Sequence, residues 1–68
     1  MLDRDKLAER LRMERARKNV TQEEVAQATG TTTVAICQYE KGTREPTVSK
    51  LAALAEYYGV SLDYLVGK

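Results

Sequence analysis

TQEEVAQATGTTTVAICQYEKGTREP, from Thr21 to Pro46, reads as two short helices hinged at a glycine. Thr21 and Glu24 have the spacing of a capping box. The hydroxyl accepts the N–H of the third helical residue, and the carboxylate accepts the N–H of the capping residue. This helix buries Val25 and Ala26, with Thr29 at the margin of the same face, and stops at Gly30, which can take the left-handed conformation that ends helices. Thr32 caps the next helix, which ends at Gly42. Pro46 then requires an extended residue before it.

Working outward, a helix from about Asp3 to Lys18 precedes this pair, with Leu7, Ala8, Leu11 and Arg15 on one stripe. After it, Thr47 caps a fourth helix along which Val48, Leu51, Leu54, Ala55 and Tyr58 keep helical spacing. Gly59 closes that helix, and Ser61 caps a short fifth carrying Leu62 and Leu65. No alternating strand pattern, repeat or low-complexity segment occurs. The sequence therefore predicts an all-α fold of five helices.

The chain has 68 residues, enough for one domain over residues 1–68. A domain this small buries only about 60% of its unfolded surface, so its stability rests on efficient helix packing or on a second copy. Apolar residues are 43% and charged residues 31%, a balance that suits a folded helical domain. The amino end is charged from Asp3 onward and no apolar run approaches a membrane span, so a cytoplasmic location is expected. One cysteine and no histidine argue against a disulfide, a structural metal site or a cofactor. No paired-carboxylate or Cys/His arrangement points to catalysis, and no small-molecule pocket is indicated.

The net charge of +1 argues weakly against a nucleic-acid partner, but its uneven distribution argues the other way. Residues 1–18 carry seven basic and four acidic side chains, residues 19–40 three acidic and none basic. Local basic patches can serve a nucleic-acid interface even in a nearly neutral protein.

At about 100° per residue, the third helix divides into two faces. Thr32, Ala35, Ile36 and Tyr39 share one side with Glu40 at its edge, and this side is expected to pack inward. Thr33, Val34, Cys37, Gln38 and Lys41 face out. A solvated face usually carries Lys and Glu; this one mixes hydroxyl, amide, thiol and a valine. Such groups suit base edges in the DNA major groove. Glutamine bonds adenine N6 and N7, threonine bonds several bases, and valine touches the thymine methyl. For any one of these residues, an ordinary polar surface is the plainer alternative. Together with the glycine turn they favour a groove-reading helix. Cys37 reads as a small side chain that fits against DNA rather than as a redox switch.

Gln22 opens the second helix, where free backbone N–H groups and the helix dipole favour a phosphate. Its alternative is a common exposed glutamine. Arg15 and Glu40 both fall at the edge of an inward face, and a half-buried charge needs a partner. A salt bridge between them is expected, against the alternative of two unrelated snorkelling side chains.

Arg15, TQEEVA, Gly30, ICQYEKG at Ile36–Gly42, Pro46 and LAALAEYYGVSLDYL at Leu51–Leu65 resemble the phage-repressor or Cro-type helix-turn-helix regulators, also called the xenobiotic-response-element family. The resemblance covers nearly the whole chain. It implies a compact lambda-repressor-like domain, bacterial or encoded by a phage or plasmid, that acts as a homodimer on a near-palindromic operator. It implies base reading by Thr33, Val34 and Gln38, with Cys37 beside them. Phosphate contacts would come from Gln22, Thr32, Lys41 and Thr43, and Arg15 would pair with Glu40. Thr33, Val34 and Cys37 depart from the residues common at these places, so the family's operator preferences do not carry over.

The chain ends two residues past the fifth helix at Val66, with no sensor or oligomerisation domain attached. It is expected to be a minimal repressor, a restriction-modification controller, an antitoxin-like autoregulator or a DNA-binding unit that needs a separate effector. Dimerisation would use Tyr57 and Tyr64, exposed by periodicity, with Val66 and the segment around Pro46. The rival reading is a protein-interaction module that uses the same fold without touching DNA.

Overall fold

The computed structural model describes residues 2–68, which hold five helices and no strand among them. Helix α1 spans Arg4–Lys18, α2 Gln22–Ala28, α3 Thr33–Lys41, α4 Val48–Tyr58 and α5 Leu62–Val66. Each helix starts where a side-chain oxygen satisfies orphan backbone donors. Asp3 accepts from Asp5 N and Lys6 N, both at 3.0 Å. Thr32, Thr47 and Ser61 each accept the N–H three residues on, at 3.1, 3.3 and 3.0 Å. Thr21 and Glu24 form the expected capping box, with bonds of 3.1 and 3.2 Å. Helix α1 ends at Asn19, whose φ of 58° is the left-handed region that asparagine tolerates better than most residues.

Leu7, Leu11, Val25, Ile36, Leu54 and Leu65 are almost wholly buried and draw all five helices onto one core. Helix α1 is the central strut. It packs on α3 along one side and on α5 along the other, while α2 lies against α3. Burying these side chains is worth roughly 1.5–3 kcal/mol each against the entropy of ordering the chain.

Three expectations of burial from helical spacing are corrected. Thr32 is exposed, because its extended backbone (φ −94°, ψ 154°) takes it off the helical face that spacing assigned to it. Val48 is 81% exposed at the first position of α4, and Leu62 is exposed at the first position of α5. In both helices the core begins one turn later, at Leu51 and Leu65.

Tyr57 and Tyr64 do not stand free, since both are half-buried against the core. The Tyr57 ring lies edge-on to Tyr58 at 5.0 Å, and the Lys18 ammonium sits 4.9 Å from its centre. Tyr64 donates its hydroxyl to Glu14 Oε2 at 2.9 Å and lies under the Arg10 guanidinium at 4.6 Å. Pro46 is buried rather than presented at the surface, and Val66 is half-buried.

Glu14 completes the inward stripe of α1, though at 5% exposure it is a buried carboxylate in a place where periodicity alone suggests an apolar residue. It is accommodated because the Arg17 guanidinium and the Tyr64 hydroxyl both donate to it. The bond to Glu14 pushes the Tyr64 pKa up, since ionised tyrosine would have no proton to give.

Candidate nucleic-acid interface

Helices α2 and α3 meet at a turn fixed from both sides. Gly30 has φ +64°, a conformation that a side chain would strain. The Thr31 amide bonds back to Ala26 O at 2.8 Å, and the Thr29 hydroxyl bonds Val25 O at 2.8 Å. Buried Thr29 thus keeps its hydroxyl satisfied inside its own helix. From outside, the Lys50 ammonium of α4 donates to the Gly30 carbonyl.

Behind α3, the charge network is denser than the sequence suggests. Glu40, at 4% exposure, receives Arg15 Nε on Oε2 at 2.8 Å, so the expected ion pair is present. Arg15 also donates to Val20 O at 3.1 Å. The bond and charge of Glu40 push the Arg15 pKa up, which keeps the guanidinium charged. Arg12 donates to the Glu40 backbone carbonyl at the end of α3, and Arg10 to the Tyr64 carbonyl in α5. Cations at helix C-termini are favourable because uncapped carbonyls gather there.

Most of the basic excess in residues 1–18 is therefore used inside the molecule. Arg10, Arg12, Arg15 and Arg17 all bond protein acceptors. Counting charges along the chain could not reveal most of this, because the acceptors of Arg10 and Arg12 and the carboxylate partner of Arg15 lie on distant helices. The Arg17 acceptor, Glu14, is on α1 itself.

In front of α3, the outward residues are open. Thr33 is exposed and Val34 is 65% exposed, while Cys37 and Gln38 are partly covered. Lys41 is exposed and makes no ion pair among the described residues. The structure thus brings Thr33, Val34, Cys37, Gln38 and Lys41 onto one accessible ridge, with Thr32 exposed at its start. Thr43 is exposed beyond the end of α3, but both its amide and its hydroxyl bond Gln38 O, at 3.1 and 3.3 Å. Gln22 is partly exposed, and its amide Nε2 donates to Glu40 Oε1 at 3.1 Å.

Arg44, which the sequence did not single out, stands beside this ridge. Its Nη1 donates to Gln38 Oε1 at 3.3 Å, and its guanidinium carbon lies 6.0 Å from the centre of the Tyr39 ring. The signal was a lone arginine two residues beyond the glycine that ends α3. With Arg44 on the amide oxygen, Gln38 presents its NH2 outward.

A capped α2, a glycine turn and an α3 whose outer ridge is accessible together form a helix-turn-helix. The helix-turn-helix family matches residues 11–65. This chain belongs to that family.

Among solved structures, the chain is similar to the P22 c2 repressor in complex with a synthetic operator, with TM-score 0.86 and 33% identity over 88% of this chain and 91% of that one. It is also similar to the restriction-modification controller protein C.AhdI from Aeromonas hydrophila, with TM-score 0.86 and 27% identity over 93% and 96% of the two chains. Among curated relatives, the transcriptional regulator ImmR of Bacillus subtilis (strain 168) is 36% identical over 62 residues, covering 91% of this chain and 49% of ImmR. YqaE of the same organism, an uncharacterized transcriptional regulator, is 39% identical over 59 residues, 87% of this chain and 51% of that protein. The chain spans about half the length of these relatives. The resemblance to phage-repressor-type regulators, and the five-helix fold it implied, are borne out.

Proposed function

We propose that this chain binds double-stranded DNA in a sequence-specific way and regulates transcription, as a repressor, with α3 in the major groove. One observation carries the reading: the outer ridge of α3 is left open while its inner face is anchored by buried side chains and a buried carboxylate. Thr33, Val34, Cys37 and Gln38 are the base-facing residues, and Lys41 and Arg44 supply charge at the edge of the ridge. Gln22, Thr32 and Thr43 flank it as phosphate contacts, which position the helix without reading sequence. No catalytic role is proposed. The likeness to a repressor bound to operator DNA supports the reading.

The chain acts as a homodimer on a near-palindromic operator. Its longest Cα extent is 28 Å, shorter than the roughly 34 Å between successive half-sites, so one copy serves one half-site. A groove of about 330 Å³ between Leu2, Pro46, Val48, Leu51 and Val66 offers apolar surface for the second copy. Tyr57 and Tyr64, engaged within the chain, contribute only their edges. None of the described helices is long and apolar enough to cross a membrane, which fits a cytoplasmic regulator.

Selection from a random oligonucleotide pool, followed by titration of the selected and a scrambled duplex at several salt concentrations, tests the proposal. The expected result is a two-fold-symmetric site and an affinity that falls log-linearly with salt. No binding to either duplex at low salt would favour a protein partner for the same ridge.

A further inference from the structure

Glu40 lies on the inner face of α3, with almost no surface of its own, yet its two carboxylate oxygens hold residues from two other helices. Oε2 takes Arg15 Nε of α1 at 2.8 Å, and Oε1 takes Gln22 Nε2 of α2 at 3.1 Å. A carboxylate oxygen accepts hydrogen bonds, and both oxygens of Glu40 are acceptors here, one from Arg15 and one from Gln22. The amide nitrogen of Gln22, not its oxygen, must therefore face Glu40. That fixes which way the amide is flipped. A primary amide carries two N–H groups; one is held by Glu40 and the other is directed away from it. The buried charge thus decides which hydrogen-bonding group the partly exposed Gln22 offers to the outside.

We propose that Glu40 is a positioning residue for DNA: it orients the Gln22 amide so that the second N–H donates to a backbone phosphate. The inference rests on the DNA-binding reading above. Glu40 never meets the duplex. The negative charge of Glu40 is tolerable near the phosphate because Arg15 shares the same carboxylate. Without that carboxylate, the Gln22 amide is free to rotate and turn its oxygen toward the phosphate, where two acceptors oppose each other. A neutral glutamine at position 40 has nearly the same shape but can either donate or accept, so it no longer specifies the flip.

A double-mutant cycle on the full chain tests this, read as affinity for a short duplex of random sequence at low salt. Gln22→Ala should weaken binding roughly tenfold, the scale of one hydrogen bond to a charged group. Glu40→Gln should cause a similar loss, and the double variant should be no weaker than either single one. A purely structural role for Glu40 would weaken binding equally with or without Gln22, so additive losses overturn the proposal.

If Glu40→Gln does not fold, the wild-type protein still decides. Of its two inequivalent Gln22 side-chain NH2 protons, the one bonded to Glu40 should be displaced downfield of the usual glutamine position in the free protein, and only the other should shift when the duplex is added. Both protons at ordinary glutamine positions in the free protein, or no shift of either on saturation, overturn it as well. Absence of any duplex binding by the wild type would instead sink the DNA-binding reading, while the position of the Glu40-bonded proton in the free protein would remain readable.

Discussion

The two faces of α3 differ in how far their side chains are already engaged. On the inner face, Ala35, Ile36, Tyr39 and Glu40 are buried, and Glu40 bonds residues of α1 and α2. On the outer face, Thr33 and Val34 touch water, and the one side-chain bond at Gln38 comes from exposed Arg44. A helix bound tightly on both faces could not read a ligand. One loose on both faces could not be placed within the fraction of an ångström that a bidentate base contact requires. The difference assigns stability to one face and selectivity to the other, and each substitution below should move one quantity without the other.

The largest effect should come from the inner face. Ile36→Ala leaves a cavity beneath α3, where only 2% of the side chain is exposed, and should cost about 2–5 kcal/mol in a urea or thermal melt. In a domain this small, that is much of the total stability. Affinity per folded molecule should stay near wild type once the unfolded fraction is accounted for. A folded variant that lost sequence preference would break the separation of the two faces.

Arg15→Leu should come next, at about 3 kcal/mol, because it leaves the Glu40 charge buried without its main partner. Partial exposure of Arg15 keeps the loss near the lower end of that range. Adding Glu40→Leu to Arg15→Leu should recover part of the stability, since two apolar side chains avoid the stranded charge. No recovery would mean that the carboxylate contributes through Gln22 or its helix position rather than through the ion pair.

On the outer face, Gln38→Ala should leave the melt unchanged and cost about 1–3 kcal/mol on the preferred operator, with little change on random duplex. Arg44 sharpens this expectation. Since its guanidinium donates to the Gln38 amide oxygen, Arg44→Ala should free that oxygen and shift the base preference at the position proposed for Gln38. A pool selection with the variant would measure the shift.

The same contrast explains what the sequence made legible. Caps at Thr21, Thr32, Thr47 and Ser61, and stops at Gly30 and Gly42, are local signals that depend on neighbours a few residues away, so helix limits could be read directly. The Arg15–Glu40 pair was legible because each charge sits at the edge of an apolar stripe. Contacts between residues far apart, with no pattern at either end, were not. Examples are Gln22 on Glu40 and Lys50 on the Gly30 carbonyl. Tyr57 and Tyr64 misled for the same reason: periodicity turned them outward, but Lys18, Arg10 and Glu14 drew them onto the surface of α1. The candidate base-facing residues needed only the helical repeat, whereas their fixing needed the fold.

The smallest effect lies at the back of the inner face and appears only at high pH. The Tyr58 hydroxyl is buried with no hydrogen-bond partner in the protein among the described residues. Burial first, and the nearby charge of Glu40 second, push its pKa well above the ordinary tyrosine value. A raised folded-state pKa means that the native chain holds this proton more tightly than the unfolded chain. The contribution is fully present below the unfolded pKa, near 10, and is lost as pH rises through and beyond it. At pH 10.5 the loss from this one group should be about 0.8 kcal/mol, set by the fraction of unfolded tyrosine already ionised. Tyr58→Phe removes the titrating group, so the difference in urea midpoint between variant and wild type should be constant from pH 7 to about 9 and then shift in favour of the variant. A difference that stayed flat through pH 11 would mean that the hydroxyl titrates as it does in water, and that the packing behind Glu40 is open rather than closed.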